Sequence, residues 1–186
     1  LDMAVNINNY PKVKNTFNLK GKRKFLFIGR NDPMKGSEFL SELALALPQF
    51  EFGWIGSGAE INGVKRISSF DQLTPDFMKI IASEYDFFIS PSLADPNPTT
   101  ILESMAWGFP ILSTLESGYY ESDVITNIFS NDLEKSKVVL EKYQFLDEKE
   151  LMSISKNARN YVNLNHSWDK FTQTISSSIL KKYNEK

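Results

Sequence analysis

Short apolar segments and longer amphipathic segments alternate along most of the chain. Residues 24–29 form an apolar run bounded by basic residues and a glycine, which is typical of a strand buried on both faces. The next segment, KGSEFLSELALALPQ, repeats its apolar residues at helical spacing, with Ser37 as the expected N-cap and Pro48 as the stop. A second strand is predicted at residues 50–58. The first half of the chain therefore predicts a strand–helix–strand unit.

The alternation continues to the carboxyl end. Further strands are predicted at residues 63–70, 86–92, 108–115 and 127–130, and helices at residues 75–85 and 98–107. Three amphipathic helices should follow, with Asn131, Asp147 and Ser167 as caps, whereas residues 1–23 show no clear period and predict an irregular lead-in. This order predicts an α/β fold: a Rossmann-like parallel sheet flanked by helices, followed by carboxyl-terminal helices.

Composition narrows the class of protein. The 186 residues suit a single domain over 1–186, and 21 basic against 23 acidic residues give no reason to expect a nucleic-acid partner. The absence of cysteine excludes a disulfide scaffold and fits a cytoplasmic protein. No long apolar run predicts a membrane span. Because the sequence opens on Leu1, we expect it to be part of a longer protein, for which peripheral contact with the inner face of a membrane stays open.

Ligands of open α/β sheets bind at the carboxyl ends of the strands, so the turns that follow the strands are the places to look for chemistry. Gly29 ends the first predicted strand, and Arg30 and Lys35 follow it on one loop. Two cations at a strand end suit a diphosphate, because guanidinium binds phosphate oxygens bidentately and ammonium adds a mobile charge. Solvated loop charges are the alternative interpretation. Met34, between the two cations, is expected in the core.

The turn after the second strand contains Gly56, Ser57 and Gly58. Its glycines permit a close backbone approach to a ligand, but they equally serve a tight turn. The third glycine of a dinucleotide fingerprint is missing, and nothing in the chain has the ending of a P-loop. This turn by itself indicates no particular ligand.

The segment SLADPNPTTILESMAWGFPI carries the third turn. Asn97 can cap the following helix, Pro98 suits its first position, and Thr99 and Thr100 leave free backbone N–H groups at its positive end. A phosphate could bind to these amides.

Two carboxylates bracket the start of that helix. Glu103 lies five residues inside it, roughly 7 Å further along the axis at 1.5 Å per residue. This offset suits the ribose hydroxyls of a nucleotide whose diphosphate rests at the helix end, while Asp95 would lie nearer the group attached to the diphosphate. A solvent-facing glutamate is the alternative for Glu103. The fourth turn, ESGYYESD, predicts an exposed acidic loop from its charge alone.

Taken together, these motifs resemble the carboxyl-terminal, donor-binding half of retaining glycosyltransferases of family 4, which have the GT-B fold. The resemblance rests on FLFIGRNDPMKG, WIGSG, ISPSLADPNPTTILESMAWGFPILST, SGYYES and HSWDKF, whose order and approximate spacing agree over residues 24–184. It implies transfer of a hexose from a nucleoside-diphosphate sugar to a glycan or glycolipid acceptor, as in polysaccharide biosynthesis.

Carried over by position, the resemblance assigns Arg30 and Lys35 to the donor diphosphate and Glu103 to the ribose. Asp95 stands at the position nearest the donor sugar. The motif residues of the fourth turn are Gly118 and Glu121. The resemblance also implies that no metal or other cofactor is needed. The acceptor would bind to an amino-terminal domain that this sequence lacks, so the domain alone should bind donor without transferring sugar.

Four residues depart from the family pattern, and one of them is Ser117, which stands where the fourth-turn motif usually has a glycine. Asp95 replaces a glutamate, and Pro96 and Pro98 remove amide donors that would otherwise reach sugar hydroxyls. These departures keep two alternatives open. One is a catalytically inactive GT-B-like module that binds nucleotide or mediates protein association, and the other is a GT-B nucleotide-sugar epimerase.

Overall fold

The computed structural model describes residues 3–119 and 123–184. It contains a sheet whose strands are β1 Lys24–Ile28, β2 Glu51–Ile55, β3 Lys65–Ser68, β4 Phe87–Ser90, β5 Ile111–Thr114 and β6 Ile125–Ile128. The helices are α1 Ser37–Ala46, α2 Pro75–Glu84, α3 Thr99–Trp107, α4 Leu133–Phe145, α5 Glu148–Asn165 and α6 Trp168–Asn184. The predicted Rossmann-like α/β fold is confirmed.

The strands run parallel in the order β3-β2-β1-β4-β5-β6. The chain therefore builds outward from β1 in one direction, returns to the middle, and builds outward in the other direction from β4. The neighbours β1 and β4 mark the point at which the order reverses, which is where ligands bind in doubly wound folds.

Each face of the sheet has its own hydrophobic core. Met78 of α2, Met105 of α3 and Val162 of α5 are fully buried on one face. Leu40 of α1 and Leu140 of α4 are fully buried on the other. Helices therefore cover both sides, which is why the strands are apolar at nearly every position.

Of the N-caps predicted for the three carboxyl-terminal helices, two are confirmed and one is wrong. Asp147 caps α5 in a capping box with Glu150, and the Ser167 hydroxyl caps α6 by accepting from the Lys170 amide, both as predicted. The predicted cap Asn131 of α4 is wrong, because the carboxylate of the next residue, Asp132, accepts from the Lys135 amide at 2.9 Å. The last strand, predicted at residues 127–130, begins two residues earlier.

The predicted N-cap Ser37 of α1 is also wrong. A short 3₁₀ turn, Pro33–Lys35, precedes the helix and ends at Gly36 in the left-handed conformation, so Gly36 takes the N-cap position. Ser37 is already helical and donates through its hydroxyl to the carbonyl of Asp32 at 3.3 Å.

The lead-in segment, residues 3–23, is bound to the domain by a buried lysine. The Lys14 ammonium donates to the carbonyls of Ala82 (2.9 Å) and Tyr85 (2.6 Å) and to the carboxylate of Asp86 (3.0 Å). All three of its donors are used, as burial of a charge requires. The lead-in is therefore irregular in conformation but fixed in position.

Asp86, directly before β4, is equally well satisfied. Besides Lys14 it accepts from the backbone and side-chain amides of Asn18 (2.8 and 2.9 Å) and from the amide of Lys24 (2.9 Å). The side chains of Lys14 and Asp86 are 1% and 0% exposed, so the ion pair is dry. It joins the lead-in to the starts of β1 and β4.

A second contact holds the start of the lead-in near the end of α5. The Val5 amide donates to the carbonyl of His166 at 2.9 Å, and the Nδ1 atom of this buried histidine lies 3.1 Å from the Met3 carbonyl.

Among the described helices, none is both long and apolar enough to cross a membrane.

Removing one charge of the dry pair should destabilise the fold. Asp86→Asn keeps the side-chain shape but leaves Lys14 buried without its counter-ion, so the free energy of unfolding should fall by about 3 kcal/mol. Urea denaturation measures this change. Asp76→Asn is the control, because that carboxylate pairs with Lys79 on the exposed surface of α2, and it should leave the urea midpoint unchanged. Equal effects of the two variants would contradict the proposed contribution of the Lys14–Asp86 pair to stability.

Candidate functional site

The site is formed where the turns after β1 and β4 meet at the reversal of strand order. The amides of Leu93 and Ala94 both donate to the carbonyl of Met34, at 2.9 and 3.2 Å. Gly36 lies so close that a Cβ atom there would stand 1.8 Å from the carbonyl oxygen of Pro91. The two turns thus touch along their backbones.

Lys35 and Asp95 form an ion pair across this junction. The 3₁₀ turn that carries Lys35 is started by the Asp32 carboxylate, which accepts from the Met34 amide at 2.8 Å, and is ended by Gly36. The two charged side chains keep 28% and 17% of their surface exposed, so both remain accessible to a ligand. The sequence placed both residues at the site, but it gave no sign that they pair with each other.

Arg30 and Met34 of the first turn face solvent. Arg30 is exposed and makes no hydrogen bond or ion pair with any residue that the structure describes. Its guanidinium is therefore available to a ligand. Met34, expected in the core, is 54% exposed, because it lies on the outer side of the 3₁₀ turn.

The turn after β2 packs against the turn after β1. A Cβ atom on Gly56 would lie 1.8 Å from the carbonyl oxygen of Gly29, and the Asn31 amide donates to the Ser57 carbonyl at 2.8 Å. Gly58, with a φ of 117°, lies against Asn31. The sequence left open whether these glycines permit a close approach to a ligand or serve a tight turn. In the structure they permit the close approach of one loop to another. Ser57 stays exposed beside it.

The third turn leads into α3, whose first residue is Thr99. Pro98 occupies the N-cap position, one residue before the predicted placement, and makes no side-chain cap bond. Asn97 does not cap the helix as predicted, because the helix begins two residues after it. Among the described residues, no acceptor bonds to the amides of Thr99 or Thr100. The positive end of α3 therefore presents two open donors.

The fourth turn closes the other side of the Asp95 loop. The Asp95 amide donates to the Glu116 carbonyl at 3.2 Å. Gly118, with a φ of 77°, is so close to Pro96 that a Cβ atom would stand 1.9 Å from its carbonyl oxygen. Glu121 lies outside the described residues.

Beneath these loops lies a cluster of buried hydroxyls that the sequence analysis missed. The Ser117 hydroxyl is 3.2 Å from that of Thr114 and 3.4 Å from that of Ser90, and Thr114 also donates to the Ser92 carbonyl. These bonds tie the Asp95 loop to the fourth turn. Alternation of serines and threonines at strand ends is the signal that could have revealed the cluster.

Glu103 extends from α3 toward the lead-in segment rather than toward solvent. Its Oε1 atom accepts a hydrogen bond from the Tyr10 hydroxyl at 3.1 Å. Burial raises the pKa of Glu103 above its usual value, and the bond from Tyr10 partly offsets that rise. Burial, together with the neighbouring carboxylate, raises the pKa of Tyr10 to about 12. The alternative of a solvent-facing glutamate is therefore not what the structure shows.

The structure thus brings Lys35, Asp95 and Gly118 into one contact network, with the open amides of α3 directly after it. Glu103 lies one helical turn further on.

Among the described residues, no group of three His, Asp or Glu side chains could hold a metal ion. A cavity of about 410 Å³ adjoins the fourth turn, and it is lined in part by Glu116, Phe129 and Lys135.

Comparison with known proteins bears on the fold. No protein-family model matches the chain, and no curated protein matches it either. Solved structures do match. Sucrose-phosphate synthase from Thermosynechococcus elongatus superposes with a TM-score of 0.73 at 16% identity, over 99% of this chain and 52% of the other. HepE from Anabaena, in complex with UDP and glucose, superposes with a TM-score of 0.70 at 17% identity, over 95% and 55%.

A glycosyltransferase from Rickettsia africae gives a TM-score of 0.72 at 18% identity, over 98% of this chain and 55% of that one. The fold is that of the carboxyl-terminal half of GT-B glycosyltransferases. Identities this low establish the fold alone. The chain spans about half the length of the proteins that it matches.

The packing between the turns after β1 and β4 can be tested at a glycine. Gly36→Ala should destabilise the domain by about 1 to 3 kcal/mol more than Gly21→Ala, because its methyl group would collide with the Pro91 carbonyl. Gly21 shares the left-handed backbone, with a φ of 77° against 72°, but its nearest neighbour would be 3.7 Å away. Thermal unfolding of both variants measures the difference, and equal losses would show that loop contact contributes nothing.

The raised pKa of Glu103 predicts a pH-dependent stability. Ionisation costs folding free energy at neutral pH, because the folded chain binds this proton more tightly than the unfolded chain does. Glu103→Gln should therefore be more stable than the parent at pH 7. The extra stability that Glu103→Gln gains by removing the ionised carboxylate should shrink as the pH falls through the raised pKa of Glu103. It should vanish below the ordinary pKa of 4.5. Urea denaturation across this range tests the sign, and a constant difference would refute it.

Proposed function

We propose that this chain is the nucleotide-sugar-binding domain of a glycosyltransferase. The observation that carries the proposal is the Lys35–Asp95 pair at the reversal of strand order, with Asp95 on the loop that leads into the open amides of Thr99 and Thr100. A cation and a helix end with free N–H groups together suit the diphosphate of a nucleotide. Support comes from the shared fold with HepE, which was solved with UDP and glucose bound.

The proposed residue roles follow from position. Arg30 and Lys35 would bind the diphosphate, and the α3 amides would donate hydrogen bonds to its remaining oxygens. Glu103, further along the helix, would hold the ribose. Asp95, before the helix, would lie beside the sugar.

The chemistry we propose is transfer of a hexose with retention of configuration to a glycan or glycolipid. The bond between the anomeric carbon and the diphosphate oxygen breaks, and a bond forms from that carbon to a hydroxyl oxygen of the acceptor. The electron pair of the broken bond leaves with the nucleoside diphosphate, which also takes up the hydroxyl proton. Fixed positive charge at the leaving group lowers the barrier, because it stabilises charge that grows in the transition state. The acceptor would bind mainly to a second domain, so we expect this chain alone to bind donor without transferring it.

The Lys35–Asp95 pair has a consequence for ligand binding. In the structure, the Asp95 carboxylate pairs with the Lys35 ammonium, which is the cation that the diphosphate would need. A bound diphosphate must therefore share or displace this carboxylate, and the two anions repel each other. Asp95 should weaken binding of a free nucleoside diphosphate while it favours a neutral sugar hydroxyl, to which a carboxylate is an acceptor.

Titration calorimetry with UDP and GDP tests the site. Lys35→Ala and Arg30→Ala should each weaken binding of the preferred nucleotide by about tenfold or more, because each removes a charge-assisted contact. Asp95→Asn should strengthen it, because it removes the competing carboxylate. Opposite effects at the two ends of one ion pair are the specific expectation.

Lys79→Ala is the matched control, since that lysine lies on the exposed face of α2 and pairs with Asp76. Its affinity should equal that of the parent. If neither nucleotide binds the parent chain, or if Lys35→Ala binds as the parent does, the site is misplaced.

A further inference from the structure

Tyr10 belongs to none of the motifs at the strand ends, yet it reaches the candidate site. It lies in the irregular lead-in, 93 residues before Glu103, and its hydroxyl donates to the Glu103 carboxylate at 3.1 Å. Among the described residues, this is the one hydrogen bond that the carboxylate accepts from protein.

Several contacts fix Tyr10 in this position. Its ring meets the ring of Trp107 edge to face, with 5.3 Å between centroids. Its carbonyl accepts from the Arg159 guanidinium at 2.7 Å. Further along, the amides of Val13 and Lys14 both donate to the Trp107 carbonyl, at 2.9 and 3.0 Å. The hydroxyl is thus held by packing and backbone bonds rather than by its bond to Glu103 alone.

This arrangement affects what the carboxylate can do. An ionised carboxylate has about four acceptor sites on two oxygens, and Tyr10 uses one of them on Oε1. The remaining sites stay open to other donors. A glutamate on a helix otherwise loses side-chain freedom when it binds a ligand, and that loss weakens the binding. A donor already fixed by the fold removes much of that cost in advance.

We propose that Tyr10 is a positioning residue that holds the Glu103 carboxylate in place for the two vicinal hydroxyls of a ribose. The proposal rests on the proposed nucleotide-binding function and adds to it a residue from outside the strand-end loops. Tyr10 acts through Glu103 and does not itself contact the ligand.

The test combines a protein change with a ligand change. Tyr10→Phe removes the hydroxyl and keeps the ring against Trp107. UDP, GDP and their 2′,3′-dideoxy counterparts are then titrated by calorimetry. Tyr10→Phe should weaken binding of the preferred ribonucleotide by about tenfold, while the affinity for its dideoxy form changes by less than about twofold. In a Glu103→Gln background, Tyr10→Phe should have a smaller effect than in the parent.

Tyr161→Phe is the matched control. The Tyr161 ring packs on His166, and its hydroxyl makes no hydrogen bond within the described residues, so both ligands should bind it as they bind the parent. An equal loss for ribo and dideoxy nucleotides in Tyr10→Phe, or no loss for either, would overturn the positioning role while nucleotide binding stands. Failure of the parent to bind UDP and GDP would overturn the proposed function itself.

Discussion

The dry ion pair between Lys14 and Asp86 is the interaction on which the arrangement of this domain depends. A lysine and an aspartate that are both removed from water must satisfy each other and their remaining donors and acceptors within the protein. They do so by joining the lead-in, the end of α2 and the first residue of β1. An irregular segment without a core of its own is thereby held against the domain. Its other contacts, including those of Tyr10 with Trp107 and Arg159, add to that attachment.

The second constraint is the parallel sheet with helices on both faces. Because both faces are covered, polar chemistry is concentrated at the strand ends and in the segments next to them. These loops pack so closely that Gly36, Gly56 and Gly118 have no room for a side chain. Gly29 is the residue against which Gly56 packs. The site is therefore built from loops that brace one another. This explains how charged side chains on short turns can hold a defined geometry.

The candidate site combines fixed and adjustable parts. The amides of α3 and the loop backbones are fixed by the fold, whereas the side chains of Lys35 and Asp95 lie partly in solvent, where a ligand can reach them. A diphosphate that entered would meet preset donors on one side and a cation already neutralised on the other. Under the proposed function, selectivity between a free nucleotide and a nucleotide sugar would depend on whether the Asp95 carboxylate accepts a hydrogen bond from a sugar hydroxyl.

The sequence by itself determined the alternation of strands and helices, the α/β class and the turns in which chemistry is concentrated, because these depend on local periodicity and turn residues. It placed most elements to within a few residues, and it erred at Ser37, Asn131 and Asn97, where the cap is decided by the turn before the helix. Only the tertiary structure decided that Lys35 pairs with Asp95, that Met34 is exposed, and that Tyr10 meets Glu103. Those contacts join residues 60 to 93 positions apart in the chain, and distance in space between such residues is set by the sheet order and the buried ion pair, which no local pattern encodes.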